Sequence, residues 1–154
     1  RRRRRSTTPG PVRGRPRRFE RILICTAVGE PGKADIRAGG WLARRLNATA
    51  SLLHVTIPGR TMPALVHAHL TRGVATLREL EVKGRPVLRE ADSPIEGILA
   101  ELRGEPYDLV VIAAPAPYAR APIRGVSITR QVVRQAGCSI LVVPAGAGAS
   151  GNFQ

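Results

Sequence analysis

The chain has 154 residues, of which 43% are hydrophobic and only 3% aromatic, so we expect one domain with an aliphatic core. No apolar run approaches the roughly 18 residues that a membrane-spanning helix needs, which argues against an integral membrane segment. The net charge of +14 divides unevenly: residues 1–21 hold ten arginines and one glutamate, which gives +9, and the rest of the chain carries +5.

The first segment, residues 1–18, combines arginine with proline and glycine and has no hydrophobic anchors. This composition predicts a disordered tail or linker. Polyarginine attracts anionic partners, so a nucleic acid or a membrane surface is one candidate partner for it. The alternative is a solvated extension without a dedicated partner, which the lack of interleaved aromatic residues favours.

The first half of the remaining chain alternates strand and helix patterns. A β-branched apolar run predicts a strand over 21–28, and a second strand is expected over 51–57. Between them, the apolar residues of 34–47 recur at helical spacing, which predicts a helix with Trp41 on the side that faces the sheet. A second helical pattern covers residues 62–82.

The second half continues the alternation. A short strand over 86–91 is followed by Ser-Pro-Ile-Glu at 93–96, a capping box with proline at the first helical position. The apolar runs at 108–114 and 138–144 predict two further strands, and a helix is expected to begin near Ser127.

Five strands separated by four helices predict an α/β fold of one defined kind. It is a three-layer α/β/α sandwich around a five-stranded, parallel, doubly wound (Rossmann-like) sheet. This domain should extend over residues 19–145, and residues 146–154 read as a flexible C-terminal tail. Ligands of such sheets bind beyond the carboxyl ends of the strands.

The sequence shows no metal site and no catalytic constellation. Cys25 and Cys138 lie in apolar runs, where single cysteines are usually small buried hydrophobic residues. His67 and His69 are two apart on a predicted helix and so face different directions. His54, in the middle of a strand, reads as a satisfied core or rim histidine. We therefore predict that the protein is not an enzyme.

Five stretches, in this order, resemble landmarks of the universal stress protein family over residues 19–145. They are RILICTAV, LARRLNATASLLHV, LREADSPIEGIL, YDLVVIAA and SITRQVVRQAGCSILVVP. The second and the fifth are the most specific of them. The resemblance implies a stress-response role and, in one branch of the family, ATP binding.

The nucleotide-binding branch carries Gly-x2-Gly-x9-Gly-Ser/Thr after the fourth strand, where glycines let backbone N–H groups approach phosphates. Aligned on the last helix and strand, the glycine positions fall on Ala113, Ala116 and Val126, and Ser127 alone is retained. A Cβ atom at these positions opposes close phosphate packing. The resemblance thus implies a degenerate motif.

The other candidate nucleotide-binding residues surround that motif. Ala27 stands where the branch has an acidic residue that the resemblance associates with adenosine recognition. Arg120 and Arg124 in the same loop are able to neutralise a phosphate. Val55 at the end of the second strand and Ile128 after Ser127 complete the set. No cofactor is expected, and ATP or AMP remains the alternative.

The function that we predict is a non-enzymatic, cytoplasmic regulatory domain of the universal stress protein type, with weak or lost ATP binding. The apolar last strand is predicted at a sheet edge, and the resemblance implies homodimer pairing through Ser139 to Val143. Two alternatives stay open: an ATP- or AMP-binding universal stress protein, and the cytosolic regulatory domain of a membrane transporter or sensor. The arginine-rich leader motivates the last of these.

Overall fold

The computed structural model describes residues 18–28, 30–114 and 128–144. Apart from Arg18, the two predicted tails lie outside these residues. No helix in the described ranges is long and apolar enough to cross a membrane. The elements alternate as β1 (Arg21–Cys25), α1 (Glu30–Leu46), β2 (Thr49–Thr56), α2 (Pro63–Glu79), β3 (Gly84–Glu90), α3 (Pro94–Gly104), β4 (Leu109–Ala114), α4 (Ile128–Gln135) and β5 (Ser139–Pro144).

All five strands pair in parallel in one sheet with the order β3-β2-β1-β4-β5. Helices α1 and α2 pack on one face of the sheet, whereas α3 and α4 pack on the other. The predicted three-layer α/β/α sandwich with a doubly wound parallel sheet is therefore confirmed. The apolar β5 lies at one edge of the sheet, as predicted, and β3 forms the other edge.

Strand β1 shows why the central strands read as continuous apolar runs. Ile22 and Ile24 pack toward α1 and α2, while Leu23 and Cys25 pack toward α3 and α4. All four side chains are buried because successive residues of a strand point to opposite faces and helices cover both. The same alternation in β2 and β4 gives the sheet two aliphatic cores.

The predicted capping signals are present. Ser93 precedes α3, and its hydroxyl accepts a hydrogen bond from the Glu96 N–H at 3.3 Å, with Pro94 in the first turn. Asn47 follows α1 with φ of 53°, the left-handed stop that its side chain tolerates. Helix α1 begins at Glu30, four residues earlier than predicted, because proline is tolerated where the first helical N–H groups have no partner.

Trp41 does not face the sheet, and that part of the sequence interpretation was wrong. Its side chain is 54% exposed and stacks under the guanidinium of Arg45, which lies 5.1 Å from the ring centroid. Gly39 and Gly40 take the inward positions instead. A Cβ atom on Gly39 would lie 2.7 Å from the Ile24 side chain, so α1 lies too close to the sheet for a tryptophan beneath it.

Gly73 marks an equally close approach of α2, and it supports a testable prediction. A Cβ atom there would lie 2.4 Å from Leu52 Cδ2 and 2.9 Å from Ile36 Cδ1. Gly73→Ala is expected to lower the free energy of unfolding by about 1 to 3 kcal/mol, although alanine favours helix, because the core is overpacked. Urea denaturation measures this change.

Gly104→Ala is the matched control for that variant. The added methyl group would meet only the end of the Arg89 side chain, at 3.1 Å. Its unfolding free energy should change by less than about 1 kcal/mol, because a long side chain gives way more easily than a packed core. Equal stability of the Gly73→Ala protein and the parent would contradict the packing argument.

Candidate functional site

The topology places the candidate ligand crevice between β1 and β4. These strands are neighbours in the sheet, but β1 leads into α1 on one face and β4 leads toward α4 on the other. The winding direction therefore reverses between them, and ligands of open parallel sheets bind at such a reversal, beyond the carboxyl ends of the strands. Two predicted site residues lie there: Ala27 shortly after β1 and Ala113 near the end of β4.

The described members of the predicted site do not all meet at this crevice. Ala27 is exposed and Ala113 is half-buried at the ends of adjacent strands. Val55 lies near the end of β2 and faces α3, where a Cβ atom on Gly97 would lie 2.5 Å from both of its methyl groups. Ile128 is the exposed first residue of α4. The five other predicted residues fall outside the described ranges and stay predictions: Ala116, Arg120, Arg124, Val126 and Ser127.

The start of α4 is tied to the end of β4. The Thr129 hydroxyl donates a hydrogen bond to the Ala113 carbonyl oxygen at 3.0 Å. Helix α4 therefore begins beside the crevice, and its N-terminal dipole favours negative charge there. This feature alone is common to parallel sheets and does not identify a ligand.

Asp35 on α1 is the residue of this crevice that the sequence analysis missed. Its side chain is only 3% exposed, and the backbone N–H of Ala113 is close enough to lower its pKa. Its oxygen Oδ1 is buried and has no hydrogen-bond partner among the residues that the structure describes. Burial raises the pKa of this carboxyl from 3.8 to about 7, although the Ala113 N–H opposes the shift.

A sequence signal for Asp35 exists. It stands four residues before Gly39 and seven before Leu42, positions that share the sheet-facing side of α1. A carboxylate within the inward side of an amphipathic helix is expensive to bury without a partner. Such a residue is a candidate functional group on physical grounds alone.

A buried hydrogen-bonded chain of three residues lies next to this crevice. His54 on β2 donates from Nδ1 to the Thr26 carbonyl oxygen at 3.1 Å, and the Thr26 hydroxyl lies 2.8 Å from Nε2 of His69 on α2. All three residues are buried. His54 is thus a satisfied core histidine, as predicted, and it connects β2 to the end of β1.

Thr26 and His69 are close enough to act as a nucleophile and its general base, but neither side chain is exposed to a substrate. Burial lowers the pKa of His69, and the charges of His54, Arg72 and Lys33 lower it further. The ring is therefore neutral near pH 7. With both side chains buried, the pair holds β1 and α2 together rather than meeting a substrate.

The cysteines behave as buried hydrophobic residues. Cys25 is buried and Cys138 is half-buried, and both are free thiols. Burial raises the pKa of each thiol, so neither is a ready nucleophile near neutral pH. Within the described ranges, no group of three or more His, Cys, Asp or Glu residues is arranged to hold a metal ion.

Two cavities lie away from the crevice, along α2 and the edge strand β3. Their volumes are about 370 and 460 Å³. His67, Leu70 and Leu88 line both of them, and most of the remaining lining is apolar. They contain none of the predicted site residues, and they are shallow depressions at the sheet edge.

The family model described as the universal stress protein family matches residues 18–144. The chain belongs to this family. The match covers every element of the described fold, from the residues before β1 to the end of β5. The resemblance found in the sequence is therefore confirmed. No curated protein matches the chain significantly.

Solved structures of universal stress proteins have the same fold. One in complex with cAMP is 18% identical, with a TM-score of 0.68 over 83% of this chain and 98% of its own. The Archaeoglobus fulgidus protein in complex with dAMP is 17% identical, with a TM-score of 0.63 over 82% and 98%. An Arabidopsis thaliana protein with AMP bound is 15% identical, with a TM-score of 0.61 over 84% and 94%.

Proposed function

We propose that this chain is a non-enzymatic regulatory domain of the stress response that works in the cytoplasm as a homodimer and binds ATP weakly or not at all. The observation that carries the proposal is the family match over residues 18–144. The described residues around the crevice add support, because none of them forms an exposed nucleophile–base pair or a pair of acidic side chains suited to proton transfer.

Weak ATP binding is supported by the side chains around the crevice. Ala27 lacks the carboxylate that the nucleotide-binding branch places there, and Ala113 has a Cβ atom where that branch has glycine. The sequence adds Ala116 and Val126 in place of two further glycines. Titration calorimetry with ATP should give a Kd of about 0.1 mM or weaker, and no phosphate should be released above the rate in protein-free buffer.

Homodimer formation through β5 is supported by a contrast between the two sheet edges. The edge strand β3 contains Pro86, which has no N–H to offer a further strand, together with the charged Arg85 and Glu90. Strand β5 has neither a charge nor an interior proline, and Leu141 and Val142 are both more than a third exposed. An apolar edge of this kind is suited to pairing with a second copy.

Light scattering after size-exclusion chromatography tests the dimer. The parent protein should have twice the mass of one chain, whereas the double variant Leu141→Lys, Val142→Lys should be monomeric, because two buried ammonium groups oppose the interface. Leu88→Lys on β3 is the matched control, since Leu88 is 58% exposed at the other edge, and it should stay dimeric. A monomeric parent protein at high concentration would contradict the proposal.

A second candidate function is nucleotide binding. It is favoured by the similar structures that contain cAMP, dAMP and AMP. Ser127, Arg120 and Arg124 are then the residues that we expect to contact the phosphates. In that case Ser127→Ala and Arg120→Ala should each weaken ATP binding about tenfold. Unchanged affinity in both variants would place the nucleotide elsewhere.

A further inference from the structure

Helix α1 presents an exposed tryptophan between two arginines. Trp41, the single tryptophan of the chain, is 54% exposed, and the guanidinium of Arg45 lies 5.1 Å from its ring centroid. Arg37 stands one turn earlier in the helix and is also exposed. These three residues are four apart, so their side chains form one row about 12 Å long, here called the α1 stripe.

Within residues 33–46, no exposed carboxylate offsets the charge of the α1 stripe. The one acidic residue of this range is Asp35, which is buried. Arg44 pairs with Glu81 at 3.2 Å, but both side chains are more than half exposed, so the pair contributes little. The α1 stripe is therefore positively charged and attracts polyanions.

The arginine-rich segment of the sequence joins the domain close to the end of this helix. The Glu20 carbonyl oxygen accepts a hydrogen bond from the Thr49 N–H at 2.9 Å, and Thr49 is only four residues after Arg45. Phe19 packs against the same core cluster as the inward side of α1. Residues 1–17, outside the described ranges, contain eight arginines and no acidic or aromatic residue. The α1 stripe thus supplies, near the point of attachment, the aromatic ring that this segment lacks.

An aromatic ring between arginines is better suited to single-stranded nucleic acid than to a membrane surface. Exposed bases of a single strand stack on aromatic side chains, while arginines contact the phosphates. A helix that binds a bilayer exposes a whole apolar side. On α1, by contrast, Leu46 is the one other large hydrophobic residue with substantial exposure among the described side chains.

We propose that the α1 stripe binds single-stranded RNA or DNA. A base stacks on the exposed part of the Trp41 indole, Arg37 and Arg45 contact phosphates, and the arginine-rich segment adds attraction that is independent of base sequence. This function goes beyond the regulatory role proposed above and does not depend on it, because it involves neither β5 nor the crevice between β1 and β4.

The fluorescence of Trp41 tests the proposal on the full chain, since no other tryptophan contributes to the signal. Oligo(dT) or oligo(rU) of about 15 nucleotides should quench it at low salt, and the two affinities show whether DNA or RNA binds better. Trp41→Ala should weaken binding of the same strands about tenfold, measured by the anisotropy of a dye on the strand, because one base loses its stacking partner. Trp41→Phe keeps a ring and should restore most of the affinity.

Arg37→Gln combined with Arg45→Gln tests the phosphate contacts. The slope of log affinity against log salt concentration should become shallower by about 1.4, at about 0.7 for each phosphate contact with a single strand. Arg103→Gln combined with Arg134→Gln is the matched control, because it removes two exposed charges from α3 and α4, on the other face of the sheet. The slope of this control should equal that of the parent protein.

The proposal is wrong if neither strand binds. Binding without quenching, and with the same affinity in Trp41→Ala, would overturn it in favour of attraction by the arginine-rich segment alone. Polyglutamate that binds as tightly as the strands would overturn it as well, because bases would then contribute nothing. Quenching by vesicles that contain phosphatidylglycerol, but by neither strand, would instead assign the α1 stripe to a membrane surface.

Discussion

Replacing Glu101 with alanine is expected to lower the free energy of unfolding by about 2 to 3 kcal/mol, one of the two largest effects expected for this fold, because the carboxylate is buried although its partner Arg89 is 36% exposed. Glu101 is a buried carboxylate on α3, 3% exposed. It accepts from Arg89 Nε at 2.6 Å through one oxygen and from the Tyr107 hydroxyl at 2.7 Å through the other. Removing it leaves both donors without their acceptor and a guanidinium without its counter-charge.

The effect should depend on pH in a defined direction. Burial by itself raises the pKa of Glu101, but the hydrogen bonds from Tyr107 and Arg89 outweigh it, so the pKa is below its usual value. A carboxyl whose pKa is lower in the folded state stabilises the protein above its ordinary pKa, and this contribution is lost as the pH falls. The difference between the parent and Glu101→Ala should therefore shrink in acid, as urea denaturation at pH 7 and pH 3 would show.

Glu105→Ala provides the contrast for this prediction. Glu105 follows α3 and pairs with Arg21 at 3.0 Å, but both side chains are more than a third exposed. Exposed ion pairs contribute little, so we expect a loss of less than about 1 kcal/mol. Similar losses of unfolding free energy in Glu105→Ala and Glu101→Ala would show that the buried network around Glu101 contributes no more than an exposed ion pair.

Asp35→Asn is expected to raise the free energy of unfolding at pH 8, by up to about 4 kcal/mol at 1.36 kcal/mol per pKa unit. The pKa of Asp35 is raised from 3.8 to about 7 in the folded protein, so the folded state holds its proton where the unfolded state does not. The parent protein therefore loses stability as the pH rises from about 4 to 7, and little more above 7. Asparagine removes this loss.

The test is the unfolding free energy of both proteins at pH 5 and pH 8. The gain from Asp35→Asn should be clearly larger at pH 8. Asp92→Asn is the control, because Asp92 is an exposed residue between β3 and α3, and its effect should stay within about 0.5 kcal/mol at both pH values. A gain in Asp35→Asn that is the same at both pH values would mean that the carboxyl does not titrate as the buried geometry implies.

The order and type of every described element could be predicted from the sequence. β1 and β4 are apolar runs bounded by turn residues, and the capping residues Ser93, Pro94 and Glu96 predict the start of α3. These signals are local, because side-chain periodicity and capping depend on residues within one or two turns of each other. The family resemblance agrees with this succession of elements, since its five landmarks follow one another along the chain in the same order.

Trp41 shows where local patterns stop being sufficient. Its helical spacing predicts an inward position, yet the inward side of α1 is occupied by Gly39 and Gly40 against Ile24 and Leu77. How closely a helix approaches a sheet depends on both surfaces. The periodicity of one helix defines a side about 100° wide and does not say which of two adjacent residues packs against the sheet.

For the candidate site, too, the sequence determined one part and the tertiary structure decided another. The sequence by itself determined that the strand-end positions Ala27 and Ala113 lack the groups that the nucleotide-binding branch has there, because residue identity and order along the chain suffice for that comparison. It also determined the alternation of strands and helices. Only the tertiary structure decided that Asp35, on a different element, is a buried carboxyl with a raised pKa, because burial depends on which elements come into contact.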